Sequence, residues 1–308
     1  TYDNKEVSIP LLKNQMGAST TQKVIGSVQH LEYSFSDAFN KITKAKQKKV
    51  AIIKGNGELK EAFIAKFLLQ VRDSYFIAPF TLDSVAKNPE GSLQALKEYD
   101  LAVIAKPSEA FSESEKQVLD QYLMNGGKTI WLVDQVVAEI DSLYNPSGAS
   151  LAYPRDLNIN DLFFKYGIRI NPDIVKDEQG SPIQLASGEP GSATRFQQFN
   201  WKYAPLVTPI STHPIVKNLG GIKFDFANSI DTLKNSIKKT VLLQSSTYSK
   251  RVGTPTAINL SMVSETTSPA DYPNTGGIPL AVLLEGSFHS AFENRIKAFE
   301  QTNFQSTS

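Results

Sequence analysis

Cysteine is absent from this chain of 308 residues. That absence excludes thiolate nucleophiles, disulfides, cysteine-ligated zinc and iron–sulfur clusters together. It does not fix the redox compartment, because a chain without cysteine is compatible with either. Histidine is scarce as well. His30, His213 and His289 lie far apart, with no HxH or HxxxH spacing, so a zinc site is not expected. Charge of one sign is also lacking: Lys plus Arg total 32 and Asp plus Glu total 31, a net charge of +1. Such a balance supplies no whole-molecule field for nucleic acid or an anionic membrane surface. No apolar run approaches the roughly 20 residues of a membrane-spanning helix, and no signal peptide is present. The chain opens on Thr1, read as a boundary with any anchor left outside.

What is present is a globular composition, 41% hydrophobic and 20% charged, with material for a large core. Alternation over Glu6–Leu12 predicts a strand with Val7, Ile9 and Leu11 on one side. A turn-rich link over Asn14–Thr20 leads into a long helix from Thr21 to Ala45. Val24, Val28, Leu31, Phe35, Ala38, Phe39 and Ile42 recur there at three- and four-residue steps and define one apolar stripe. Lys41, Lys44, Lys46, Lys48 and Lys49 crowd its end. They suit the negative end of a helix dipole better than a headgroup patch.

A strand–helix alternation follows. KVAII at Lys49–Ile53 reads as a strand buried on both faces, and Gly55-Asn56-Gly57 as a turn. Glu61–Arg72 reads as a helix with Phe63, Ile64, Phe67, Leu68 and Val71 inward, and Ser74–Thr81 as a strand. DLAVIA (Asp100–Ala105) and KTIWLV (Lys128–Val133) are further buried strands. Between them Ser112-Glu113-Ser114-Glu115 forms a capping box, and Asn125-Gly126-Gly127 stops the helix that it starts. Connections too long for hairpins predict an α/β fold with a mostly parallel sheet flanked by helices, of the Rossmann-like or flavodoxin-like kind.

The second half is less regular. Asn145–Arg155 reads as a polar loop, and Asn158–Tyr166 as a short helix closed by Gly167. Ile168–Ile170, Lys239–Gln244 and the segment IPLAVLLE read as strands. Asp177–Thr194 and Val263–Gly276 read as loose excursions. The expected organisation is a linker strand and long helix over 1–46, then an α/β domain over 47–308.

Chemistry in an open parallel sheet sits at the carboxyl ends of its strands. Four residues there could hold a ligand. Asn56 and Glu58 follow the first buried strand, Ser108 follows DLAVIA, and Asp134 follows KTIWLV. Each has a plainer role. The Gly55–Glu58 turn lacks the third glycine of a dinucleotide fingerprint, and Glu58 repels phosphate. Ser108 lacks the Gly-x-Ser-x-Gly surroundings of a nucleophile elbow. Asp134 suits either a sugar hydroxyl or a local turn. His213 and His289 have no partners that complete a triad. Phe196, Phe199, Trp201 and Tyr203 suit packing better than stacking on a sugar ring. No catalytic residue, metal ligand or cofactor is expected.

Several strings carry a family resemblance: LLKNQMGASTTQKVIGSVQHLEYSF, KKVAIIKGNGEL, FSESEKQVLDQYLMNGGKTIWLVDQV, STHPIVKNLGGIKFDFANSI and GIPLAVLLEGSFHSAFENR. Together they span about Val7 to Arg295. They resemble the ABC-type auxiliary transport components of the gliding-motility kind, the GldG–intraflagellar-transport domain family. The resemblance implies a fold similar to a degenerate class I amidotransferase, without the nucleophilic cysteine. It implies an extracytoplasmic (periplasmic) domain, anchored in the membrane through helices outside this stretch. It also implies partnership with an ABC permease (GldF-like) and an ATPase (GldA-like). The family normally adds a strand after the SAFENR segment, so an excised fragment short of one native strand is expected. Two functions remain open. One is a non-enzymatic, substrate-binding-like auxiliary component acting through protein contacts by its loops and long helix, with a homo-oligomer allowed. The other is a saccharide- or small-molecule-binding module at the strand ends. A hydrolase or amidotransferase rests on fold analogy alone.

Overall fold

A computed structural model describes residues 6–12, 19–187, 195–217, 219–273 and 275–293. Residues 6–12 form no strand. Val7 and Leu11 are both exposed, and an alternating segment that meets no neighbouring strand has nothing to hold it in a ladder. Helix α1 (Thr20–Thr43) begins with a capping box: Gln22 N–H donates to Ser19 Oγ, and Ser19 N–H donates to Gln22 Oε1. Only the carboxyl-terminal part of the expected stripe is buried, at Ala38 and Ile42. Val24, Val28, Phe35 and Phe39 face solvent. The lysines after it are locally engaged. Lys41 pairs with Asp37 and Asp73, and Lys46 donates to the Arg72 carbonyl.

The parallel unit then follows in order: β1 (Lys49–Lys54), α2 (Glu61–Ser74), β2 (Phe76–Thr81), α3 (Pro89–Leu96), β3 (Leu101–Ala105), α4 (Glu113–Met124) and β4 (Lys128–Leu132). The strands pair in parallel in the order β2-β1-β3-β4. Helix α3, not expected from the sequence, starts with Asn88 accepting from Gly91 N–H and Pro89 at its first position, a favourable pairing of cap and fixed φ. Ile64, Leu68 and Val71 of α2 pack on Val50, Ile52 and Val103. On the opposite face α3 and α4 cover Ala51, Ile53, Ala102 and Ile104.

Two expectations about this unit are corrected. Phe63 is 77% exposed and Phe67 lies outward as well, so the inward face of α2 is narrower than its apolar content. Strand β4 is not buried on both faces. Trp131 packs inward against Phe111 and Phe163, whereas Ile130 and Leu132 are 43% and 53% exposed. It ends the sheet, with β3 its only strand partner among the described residues.

The second half is antiparallel and comprises β5 (Val136–Val137), β6 (Ala149–Pro154), α5 (Asn160–Tyr166), β7 (Ile168–Ile170), β8 (Asp173–Asp177), β9 (Gly180–Ser187), β10 (Arg195–Val207), β11 (Ile222–Lys223), β12 (Ile230–Thr232), β13 (Lys238–Gln244), β14 (Ser249–Gly253), β15 (Thr256–Asn259) and β16 (Pro279–Glu285). Its pairings are β6 with β5 and β15, β7 with β12, β8 with β14, β9 with β10, β10 with β11, and β13 with β16. The architecture is therefore mixed α/β, with the parallel arrangement confined to β1–β4.

Strand β6 occupies much of what reads as a polar loop. The glycine- and proline-bearing excursion after Asp177 is largely the β9–β10 hairpin, whose residues 188–194 lie outside those described. The stretch from Val263 to Gly276 is tied down rather than loose. Lys202 Nζ bonds Thr267 Oγ1 at 2.8 Å and the Glu265 carbonyl at 3.0 Å, while Lys176 pairs with the Glu265 carboxylate. The main core crosses the two halves. Leu157, Ile159, Phe163 and Ile168 join the buried sheet face, with Val282 and Leu284 packed alongside.

Candidate functional site

Parallel pairing sets the carboxyl ends of β1, β3 and β4 side by side, and the four residues singled out from sequence fall there. After β1, Gly55 and Gly57 have φ of +125° and +68°, conformations that favour glycine. A Cβ on Gly57 would also stand 2.2 Å from Ser108 Oγ. The β1 turn and the β3 loop are closely joined. The N–H groups of Ser108 and Glu109 donate to the Asn56 carbonyl at 2.9 and 3.0 Å, and Leu59 N–H donates to the Ala105 carbonyl at 3.0 Å. The Ser108 hydroxyl donates to the Gly57 carbonyl at 2.9 Å. Its partner is therefore a carbonyl, not a base that would activate it.

Asn56 is 2% exposed. Its Nδ2 donates to Glu115 Oε2 at 3.2 Å, and the same oxygen accepts Ser112 N–H at 2.7 Å. The amino end of α4, where an anion would otherwise find free N–H groups, already holds a carboxylate. Asn56 N–H donates to Glu58 Oε2 at 2.9 Å. Burial pushes the Glu58 carboxyl above its ordinary pKa. The N–H groups of Asn56, Glu58 and Gly55 and the charge of Lys54 pull the other way, and of these amides Asn56 alone reaches it in hydrogen-bond geometry. Asn56 Oδ1 and Glu58 Oε1 are buried with no hydrogen-bond partner. Each such acceptor costs on the order of 1–3 kcal/mol.

Asp134 belongs to a neighbouring group. It lies 3.4 Å from Lys106 Nζ, which also meets Glu139 Oε1 at 2.7 Å. Burial raises the Asp134 pKa, with Lys106 opposing. Burial works to lower that of Lys106, but its bond to Glu139 and the charges of Asp134 and Glu139 leave it raised. Lys106 has φ +53°, an uncommon backbone for a non-glycine residue, held by its N–H donating to the Leu132 carbonyl at 2.8 Å. The structure thus brings Asn56, Glu58 and Ser108 together and sets Asp134 beside them with Lys106. Sequence reasoning missed Glu115, although the capping box had already marked it. It also missed Lys106 and Glu139 as the partners of Asp134.

A shallow cleft of about 10 Å³ opens next to this region, lined by Glu139, Ser142, Ser150, Leu151 and Phe226 among others. It is smaller than the roughly 300–1,000 Å³ of small-molecule pockets. Among the described residues, no group of three or more His, Asp and Glu is placed to hold a metal. His213 Nδ1 accepts Ile215 N–H at 3.3 Å in a turn, and His289 is exposed. Trp201 and Tyr203 are buried, whereas Phe196 is 69% exposed on the hairpin.

Exposed apolar side chains collect on the helices instead. Val24, Ile25, Val28, Phe35 and Phe39 of α1 and Phe63, Phe67 and Leu69 of α2 all face solvent. Exposed apolar side chains spaced along a helix face in this way mark candidate interaction sites.

A family model described as "ABC-type uncharacterized transport system" matches residues 47–308. An uncharacterized protein of Borreliella burgdorferi (strain ATCC 35210 / DSM 4680 / CIP 102532 / B31) is 24% identical over 244 residues, covering 78% of this chain and 45% of the relative. The chain therefore spans less than half the length of that relative. Among solved structures, the mmIFT52 N-terminal domain is similar at 17% identity and a TM-score of 0.45, over 68% of this chain and 77% of that one.

Proposed function

We propose, from the premise that the chain belongs to the ABC-type uncharacterized transport system family, that it is a non-enzymatic auxiliary component of the gliding-motility kind, working through protein contacts. In this reading it lies on the extracytoplasmic face of a membrane, held there by segments outside this stretch. It meets an ABC permease (GldF-like) directly and an ATPase (GldA-like) through that permease. The family supplies the association with transport components. The observation that carries the contact role is the apolar surface left on α1 and α2. The strand ends support it, because their donors are turned onto the chain's own carbonyls and carboxylates. The strand order β2-β1-β3-β4 also suits a flavodoxin-like sheet whose strand-end side-chain donors are engaged within the chain.

The test is purification of the full-length protein from gently solubilised native membranes, followed by mass spectrometry. Recovery of a permease and an ATPase in fixed ratio is expected. Paired substitutions Val28→Glu and Phe35→Glu on α1 should abolish that recovery with an unchanged melting temperature, since both positions are exposed. Recovery of the protein alone, from membranes that contain both candidates, would overturn the reading.

A further inference from the structure

The unfilled side-chain valence at the end of β1 is of one kind. The side-chain donors there have partners. Lys54 Nζ bonds the Leu59 carbonyl at 2.7 Å, Asn56 Nδ2 bonds Glu115, the Ser108 hydroxyl bonds the Gly57 carbonyl, and Lys106 is held by Glu139 and Asp134. What remains are two acceptor oxygens, Asn56 Oδ1 and Glu58 Oε1, both buried and both without a partner. They belong to residues joined through one hydrogen bond, from the Asn56 backbone N–H to Glu58 Oε2 at 2.9 Å. A second carboxylate, Glu115, is bonded to the same asparagine. Two free acceptors beside two carboxylates call for a group that donates several hydrogen bonds and carries positive charge. An ammonium group has three donors and no acceptor, and its bonds to a carboxylate are charge-assisted. An anion meets the reverse: two carboxylates, with the side-chain donors already engaged.

We propose that the carboxyl end of β1 binds the primary ammonium group of a small amine, donating to Asn56 Oδ1 and Glu58 Oε1. The site excludes phosphate-bearing ligands. The exposed Ser108, resting on the Gly57 carbonyl, is the side chain that such an amine displaces on entry. This goes beyond the assembly role and does not depend on it, since the strand ends and the exposed helix faces are separate surfaces.

The experiment is a titration of the isotopically labelled chain with methylammonium, followed by NMR at the Asn56 side-chain amide and the Glu58 carboxyl carbon. Glucosamine, glucose and inorganic phosphate serve as parallel titrants. Saturable shifts with methylammonium and glucosamine, and none with glucose or phosphate, are expected. Glu58→Gln keeps the shape and removes the charge, and should weaken binding at least about tenfold. Ser108→Gly, which clears the entrance, should retain or tighten it and serves as the reporter if the Glu58 variant fails to fold. Three results would overturn the proposal: shifts that follow pH alone with no response to amine, equal binding by glucose, or undiminished binding by a folded Glu58→Gln protein.

Discussion

Asp120 is fully buried within α4, yet both its oxygens are matched. Oδ1 accepts from the Tyr166 hydroxyl at 2.7 Å and Ala291 N–H at 2.9 Å, and Oδ2 accepts from Ser290 Oγ at 2.6 Å. Burial first, and the adjacent Asp120 charge next, push the Tyr166 hydroxyl well above its ordinary pKa, so it stays a donor. Tyr166→Phe should cost about 1 kcal/mol, one net hydrogen bond. Asp120→Ala removes the acceptor of four donors, Gln121 Nε2 included, and should cost roughly 3 kcal/mol or more. Urea denaturation midpoints at unchanged slope would measure both. Asp231 offers a pH test. The Arg251 hydrogen bond, opposed by partial burial and aided by Asn171, holds its carboxyl below the ordinary value. A depressed folded pKa means that the unfolded chain takes up its proton first on acidification. The contribution is therefore present above the ordinary aspartate pKa of about 3.9 and is lost as pH falls through the folded value. Arg251→Met should lower the melting temperature slightly at pH 6. The gap to the native protein should narrow as the pH drops below about 4, and a gap independent of pH would contradict this account. Neither pairing is legible from sequence, because Asp120 and Ser290, or Asp231 and Arg251, meet only once distant strands are in place.

At the scale of elements, the unit from Asp100 to Asp134 was the most legible part. Its signals are local: an apolar run, a Ser112–Glu115 capping box, a glycine stop at Gly126 with φ +88° and a second apolar run. Helices α1 and α2 were placed correctly and oriented only in part, because periodicity marks an apolar stripe without saying which part finds a surface to cover it. The candidate site was half legible. Strand-end position picked out Asn56, Glu58 and Ser108, while the closure of that crevice depends on a contact between two loops. Gly57 tests the closure. Gly57→Ala meets both a positive φ and the Ser108 hydroxyl and should destabilise by about 1–3 kcal/mol. Adding Ser108→Ala should restore part of the loss, leaving the backbone strain. Additive losses in the double variant would show that the loops are not coupled.

For the molecule as a whole, the antiparallel half was the least legible, since its strands pair across long separations and its alternation is broken by turns. Strand β8 pairs with β14 and lies beside β10, and no local pattern announces that. The buried Lys176 and Lys202 hold the stretch around Glu265 and Thr267 onto this half. Glu178 completes the attachment, meeting Lys202 at 3.0 Å and accepting from Thr267 Oγ1 at 2.7 Å. Lys202→Met should free that stretch without unfolding the sheet. Hydrogen exchange would then rise across residues 264–272 and remain unchanged in β1 and β3. Uniform acceleration would instead mean that this attachment is part of global stability.

Helix α1 has 24 residues, a rod of about 36 Å, with its buried apolar positions Ala38 and Ile42 near one end, where Lys41 is pinned to Asp73, and Ser27 buried towards the other. Mechanically that is a lever with its fulcrum beside α2. A tilt of about 10° at the pinned end would sweep the far end through about 6 Å, by the same rod length. Small adjustments where the helix meets α2 would thereby be magnified into displacements on the scale of a helix turn at the end that carries the exposed Val24, Ile25 and Val28.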